Sequence, residues 1–225
     1  MPNLSGIIRP EASPARSEGK TAAARPGFTL ITPTGSAPVQ LSMVGEHMAL
    51  NAVAAAAVAG HFGMPAERTA ELLARAQPRS AWRMEVRQTP GGVTVVNDAY
   101  NANPDSMRAA LRTLAAMRTT GRTFAVLGEM AELGADSIAE HDAIGRLAVR
   151  LSVFRTIVVG QGARALYLGA SQEGSWDGEA AWVPDGPAAV VMLREHLRPG
   201  DVVLVKASRS AGLESVAAAL LEVGP

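Results

Sequence analysis

Three apolar runs in this sequence each end in a cluster of polar side chains. VVNDAYNANPDSM (95–107) leaves its valines through Asp98, Tyr100, Asn101 and Asn103. TFAVLGEMAEL (123–133) ends in Glu129 and Glu132, and DVVLVKASRS (201–210) in Lys206, Ser208 and Arg209. Carboxylates accept from hydroxyls and cations, while guanidinium and ammonium groups bind carboxylates and phosphates, so such a set suits a polar, charged ligand. Part of it has a local explanation. Asn103 can cap a helix, Pro104 can take its first position, and Asp105 favours its positive end. That leaves Asp98, Tyr100 and Asn101 free to face a ligand.

Other motifs carry less. GKT at 19–21 resembles the end of a phosphate-binding loop, but the first glycine of that loop would fall at Pro14, and no strand precedes it. GQGARA (160–165) matches the G-x-G-x-x-A dinucleotide fingerprint, yet it does not follow the first strand of its unit and reads as a tight strand-to-helix turn. The histidines at 47, 61, 141 and 196 lack metal-ligand spacing, and His141 reads as a neutral core residue. The absence of cysteine excludes disulfides, thiolate metal sites and cysteine nucleophiles. Lys plus Arg and Asp plus Glu are both 21, which argues against nucleic-acid or acidic-membrane partners. The N-terminus, MPNLSGIIRPEASPARSEGKTAAARPG, has no continuous apolar stretch of signal-peptide length and ALNAVAAAAVAG is too short to span a bilayer, so the expected location is the cytoplasm.

The elements that must position these residues follow from periodicity. Residues 1–26 show neither helical nor strand period and read as a disordered or non-native leader. FTLITPTGSAPVQL reads as a hairpin turning at PTGSAP, followed by helices in GEHMALNAVAAAAVAGHFG and PAERTAELLARAQ. From Arg83 onward strands alternate with helices. A strand pair turns at Pro90-Gly91-Gly92, NPDSMRAALRTLAAM is a helix with Met107, Ala110, Leu111 and Leu114 on one stripe, and a helix from Ser137 is expected to open with a capping box to Glu140. RTIVV, AAWV and DVVLVK supply further strands. With 48% hydrophobic and 4% aromatic residues, the core must be built from Ala, Val and Leu. The fold class expected is α/β, a Rossmann-like, doubly wound, mostly parallel sheet, whose ligands bind beyond the carboxyl ends of the strands.

The segments GEHMALNAVAAAAVA, WRMEV, VVNDAYNANPDSMRAAL, VLGEMAELG with His141, and GDVVLVKASRSAGLE, in this order, resemble the C-terminal part of the MurF-type Mur ligases. The resemblance runs from about residue 27 to the end. It implies that 27–78 is the end of a central ATPase domain and 79–225 a C-terminal domain. The implied function is ATP-dependent addition of D-Ala-D-Ala to UDP-N-acetylmuramoyl-tripeptide in peptidoglycan precursor synthesis, with ATP and Mg2+ as cofactors. The tripeptide carboxylate becomes an acyl phosphate, which the dipeptide amine displaces.

The resemblance also implies roles. Asn51 corresponds to an adenine-contacting asparagine, with Met48 where relatives often have a second one. Arg83 and Asp98 correspond to a pair reaching the nucleotide, and Trp82 stands where glycine usually precedes that arginine. Tyr100, Asn101, Asn103, Lys206, Ser208 and Arg209 resemble loops facing the dipeptide, and Glu129 and Glu132 are candidates to orient its amine. The main phosphate and metal ligands of the family have no counterpart in these residues, so no catalytic or metal residue is assigned and the chain alone is expected to be inactive. A complementing N-terminal half, or self-association through the helices of 47–76, would be its partner. The alternative is a stand-alone binding or regulatory module derived from such a ligase.

Overall fold

The computed structural model describes residues 24–78, 80–118, 120–174 and 178–222; of the stretch read as a leader, residues 1–23 lie outside them. The described residues fall into two units, one before Ser80 and one from Ser80 onward.

In the first unit, β1 (Gly27–Thr32) and β2 (Gly35–Gln40) pair antiparallel, from Gly27 opposite Gln40 to Thr32 opposite Gly35. The turn is only Pro33-Thr34, narrower than the expected PTGSAP. Ser36 to Pro38 continue the strand because Ala37 and Val39 alternate inward beside Phe28 and Leu30. The carbonyls of Pro26 and Ala24 accept the N–H of Leu41 and Gly45 at 3.0 and 2.8 Å, so the hairpin's bonding reaches back past Gly27. Two helices cover it, α1 (His47–His61) and α2 (Ala66–Arg75). α1 is apolar on most sides. It buries Ala52 and Ala56 against the hairpin and leaves Leu50 and Val58 exposed, with Phe62 just beyond its end 82% exposed.

The second unit is a six-stranded sheet in the order β3-β4-β8-β5-β6-β7, built from β3 (Glu85–Gln88), β4 (Thr94–Asn97), β5 (Thr123–Leu127), β6 (Arg155–Val159), β7 (Ala180–Val183) and β8 (Val202–Lys206). Only β3 runs antiparallel, at the edge. The chain leaves β4, skips one position to β5, continues to β7, and returns to slot β8 into the gap. The strand order therefore reverses where β4, β8 and β5 lie side by side, which puts the binding crevice expected of an open parallel sheet at their carboxyl ends.

Successive strand residues point to opposite faces, and both faces are covered. Val93, Val95, Phe124, Val126, Ile157, Val203 and Val205 pack with residues of α6 (Gly186–His196) and α7 (Glu214–Glu222). The alternate residues lie under α3 (Pro104–Ala116), α4 (Ser137–Arg150) and α5 (Arg164–Glu173). The stripe Met107, Ala110, Leu111 and Leu114 of α3 is fully buried as its spacing predicts. α4 and α5 touch closely because glycines meet backbone: a Cβ on Gly145 would lie 2.0 Å from the Leu166 carbonyl oxygen, and one on Gly169 would lie 2.3 Å from that of Asp142. The capping box expected at Ser137 does not form. Ser137 is already helical, Asp136 precedes it without a side-chain cap, and Glu140 instead accepts from Arg108 at 2.6 Å. No helix among the described residues is long and apolar enough to cross a membrane.

Candidate functional site

Beyond β4, the Asp98 N–H donates to the Val205 carbonyl at 2.8 Å, extending the β4–β8 ladder by one residue. Asn97 pairs with Val205, so the next residues along, Asp98 and Lys206, emerge side by side at the sheet's carboxyl edge. The Lys206 ammonium donates to Asp98 Oδ2 at 2.7 Å and to the Asn101 carbonyl at 2.8 Å, and its side chain is 2% exposed. The other carboxylate oxygen, Asp98 Oδ1, accepts the Met84 N–H at 3.0 Å. A buried ammonium is tolerable only when paired and hydrogen-bonded, and both conditions are met here. Lys206 thus ties the end of β8, the loop after β4 and the segment entering β3 together. Lys206, expected at the dipeptide, has its ammonium engaged inside the protein by these two acceptors.

Two further residues expected at the dipeptide also serve the scaffold. Ser208 is 4% exposed. Its N–H donates to the Glu129 carbonyl at 2.9 Å, and its hydroxyl accepts the Ala131 N–H at 2.9 Å and donates to the Ala102 carbonyl at 3.4 Å. It joins the loop after β5 to the loop after β4. Asn103 caps α3: its Oδ1 accepts the Ser106 N–H at 2.8 Å while Ser106 Oγ accepts the Asn103 N–H at 3.0 Å. Its carboxamide oxygen is therefore engaged by the helix.

The loop after β5 is held from below by His141, which is fully buried. Its Nδ1 lies 2.7 Å from the Ser137 carbonyl, which can only accept, so Nδ1 carries the proton; Nε2 accepts the Met130 N–H at 2.9 Å. His141 is the neutral core histidine expected, and it fastens a site loop. Glu129 and Glu132 are exposed on that loop, Glu132 with φ +65°. A Cβ on Gly162 would lie 2.4 Å from a Glu129 carboxylate oxygen. The glycine-rich turn of GQGARA is thus lined by the protein's own carboxylate, consistent with its reading as a turn and not a phosphate cradle.

The exposed part of this edge is aromatic and cationic. The Arg83 guanidinium lies 4.2 Å from the Tyr100 ring centroid and that of Arg209 5.6 Å from the same ring. Arg209 also lies 5.7 Å from the Trp82 ring. Neither arginine has a carboxylate within ion-pair distance among the described residues. Tyr100 is half-buried and Asn101 exposed beside them. Trp82 and Met84 have φ of +61° and +47°, conformations costing on the order of 1–3 kcal/mol at non-glycine residues. Asn51 stands apart from this cluster in sequence: it is exposed on α1, in the first unit, with its Nδ2 3.7 Å from Met48 Sδ.

The structure therefore brings Arg83, Asp98, Tyr100, Asn101 and Arg209 to one edge of the second unit. Sequence reasoning missed the struts beneath them. A lysine closing the otherwise apolar run DVVLV was a signal for Lys206, because a buried lysine requires a carboxylate partner.

A family model described as Mur ligase, glutamate ligase domain, matches residues 82–209. The UDP-N-acetylmuramoyl-tripeptide--D-alanyl-D-alanine ligase of Mycobacterium tuberculosis is 53% identical over 215 residues, covering 88% of this chain and 42% of that protein. The crystal structure of MurF from Acinetobacter baumannii superposes with a TM-score of 0.78 at 31% identity, over 92% of this chain and 44% of that one. MurF from Thermotoga maritima, in complex with ADP, gives a TM-score of 0.73 at 25% identity, over 88% of this chain and 44% of that one. The chain spans less than half the length of these relatives.

Proposed function

The chain belongs to the Mur ligase family, and from that premise we propose that it is the acceptor- and nucleotide-facing part of a cytoplasmic ATP-dependent amide ligase that adds D-Ala-D-Ala to UDP-N-acetylmuramoyl-tripeptide. Residues 27–78 would be the end of its central domain and 79–225 its C-terminal domain. The observation that carries this reading is the pair of exposed, carboxylate-free guanidiniums of Arg83 and Arg209 on Tyr100, beside Asp98, at the carboxyl edge of the sheet. The mycobacterial and Acinetobacter relatives, and the ADP complex of the Thermotoga protein, supply the names of the ligands.

These residues suit a nucleotide and a dipeptide. Asp98 has used one acceptor position on each carboxylate oxygen, and a carboxylate offers about four, so a ribose hydroxyl can still donate to it. Arg83 presents a planar fork that fits phosphate oxygens, and Arg209 one that fits the dipeptide carboxylate. Asn51, on the first unit, would contact adenine. Tyr100 and Asn101 would border the dipeptide, while Lys206, Ser208 and Asn103 hold the loops that carry them. ATP supplies the phosphoryl group that gives the tripeptide carboxylate a leaving group. For Mg2+ the described residues offer no grouping of three or more His, Asp or Glu side chains, so its ligands would have to come from elsewhere. The glycine-lysine phosphate loop has no match in the sequence.

The test is a coupled phosphate-release assay with ATP, Mg2+, the muramoyl tripeptide and D-Ala-D-Ala, run with the chain alone and with a separately expressed N-terminal half of a MurF relative. Phosphate release that appears only on complementation, and drops when Arg83 or Arg209 is changed to Gln, is the expected result. Silence in both arms from a folded chain would favour a binding module without ligase activity.

A further inference from the structure

Trp82 adopts φ +61°, and two residues on Met84 adopts φ +47°. Left-handed backbone at a bulky residue survives only where the surroundings impose it, and it collects at functional sites. Two contacts hold Trp82 there. Its carbonyl accepts the Tyr100 N–H at 3.1 Å, and its indole lies 5.7 Å from the Arg209 guanidinium. Arg209 shares the Tyr100 ring with Arg83, and two like charges on one ring repel each other. With Tyr100 alone, Arg209 would relax away from Arg83 into solvent. A second ring opposes that. Glycine would take the same φ without strain, so the backbone by itself does not call for tryptophan; the ring does.

We propose that Trp82 is a positioning residue: its indole holds Arg209 beside Arg83, so that both guanidiniums close on one oxyanion, a peptide carboxylate or a nucleotide phosphate. This rests on the reading of the edge as the ligase's ligand-binding side, and it makes Arg83 and Arg209 one clamp where two separate contacts were expected. Cation-π contact is geometric as well as energetic, so losing the indole would free the guanidinium without removing its charge.

The experiment follows the Arg209 side-chain Nε–Hε signal by NMR in the full chain, assigned by its loss in Arg209→Gln. Its nuclear Overhauser contacts with the Tyr100 ring protons report where the guanidinium sits, independently of the indole's own ring current. Trp82→Gly relaxes the backbone and deletes the ring, Trp82→Phe keeps an aromatic face, and Trp82→Leu keeps bulk and φ but no ring. The expected result is that Gly and Leu abolish the Arg209–Tyr100 contacts while the Met84 amide, held by Asp98, stays in place, and Phe restores most of them. Titration with ATP and, separately, with D-Ala-D-Ala identifies the source of the oxyanion. The ligand that uses the clamp binds about two- to thirtyfold more weakly to Trp82→Gly and Trp82→Leu. Adding either change to Arg209→Gln has no further effect, since Trp82 acts through Arg209. Arg209–Tyr100 contacts that survive in Gly and Leu, or a loss of binding that persists in the Arg209→Gln background, overturn the proposal. If neither ligand binds the wild type while the Arg209–Tyr100 contacts are lost as expected, the positioning role stands and the ligase reading of this edge falls.

Discussion

Replacing Lys206 by Met separates a strut from a ligand contact. The Lys206 side chain is 2% exposed and that of Asp98 14%, and the ammonium makes two short hydrogen bonds, to Asp98 Oδ2 and to the Asn101 carbonyl. Methionine fills nearly the same volume but leaves the Asp98 carboxylate with only the Met84 N–H as its protein donor. Breaking a buried pair from one side costs about 3–5 kcal/mol. The partial exposure of Asp98 lets water reach the orphaned oxygen, so Lys206→Met should lose about 3 kcal/mol, the lower end of that range. For a unit of this size the melting temperature should fall by roughly 6–12 °C. Urea denaturation monitored by circular dichroism on the full chain measures the loss. The second arm is Lys206→Met with Asp98→Asn, which removes both charges and keeps an acceptor for the Met84 N–H. At least half of the lost stability should return, giving a coupling energy well above 1 kcal/mol. If Lys206→Met instead leaves stability within about 0.5 kcal/mol of wild type, as a solvated surface lysine would, while abolishing D-Ala-D-Ala binding, Lys206 contacts the ligand and the strut argument is wrong.

Asp201, at the opposite end of the sheet, should shape the acid limb of stability. Burial alone would raise its carboxyl, but the side-chain hydrogen bond and charge of Arg122 and the N–H groups of Arg122 and Arg198 outweigh it and hold the pKa below the usual range. Its contribution is therefore complete above about pH 4, where an unfolded aspartate is ionised, and is lost as pH falls through the lower folded value. Asp201→Asn should cost about 3 kcal/mol at pH 7 and progressively less in urea titrations carried below pH 4; an equal cost at every pH would contradict this. Gly145→Val should lower the melting temperature measurably, with a loss of about 1–3 kcal/mol or more, because its Cβ would sit 2.0 Å from the Leu166 carbonyl oxygen and backbone must move. Phe62→Lys combined with Val58→Lys should abolish concentration-dependent self-association in sedimentation velocity, since Val58 is 60% and Phe62 82% exposed; a wild-type chain that stays monomeric at every concentration would remove the basis for that expectation.

Much of the second unit was legible because each element has a single-period signature. The α3 stripe, the buried TFAVL and DVVLV runs, and Asn103 before Pro104 all follow from local spacing. The errors came where two local signals compete. Ser137 and Glu140 have capping-box spacing, but Arg108 reaches Glu140 from α3, and no pattern within 137–150 reveals that partner. PTGSAP is rich in turn formers, yet inward Ala37 and Val39 draw it into β2, because burial outweighs turn preference in a two-stranded sheet that helices cover. The struts of the site were hidden for a different reason. Lys206 and Asp98 are more than a hundred residues apart in sequence, and only the insertion of β8 beside β4 makes them neighbours.

That insertion also explains why the candidate site divides its polar residues between two tasks. At the point where β4, β8 and β5 end side by side, three loops leave in different directions, and the backbone ladder follows them only a short way past the last strand residue, as the Asp98 N–H to the Val205 carbonyl does. Each needs another anchor. Lys206 anchors the loop after β4, Ser208 joins that loop to the one after β5, and His141 holds the β5 loop against α4. These three groups are nearly or fully buried, and their polar atoms are engaged by partners inside the protein. What remains exposed is Arg83, Arg209 and Asn101, with half-buried Tyr100 and Trp82 beside them and Glu129 and Glu132 exposed on the β5 loop. A ligand reaching this edge meets guanidiniums whose charges have no carboxylate to satisfy them, on loops that cannot easily retreat. Binding can then use charge already in place, with little ordering cost, which is the physical advantage of building the scaffold from one set of polar residues and the contact surface from another.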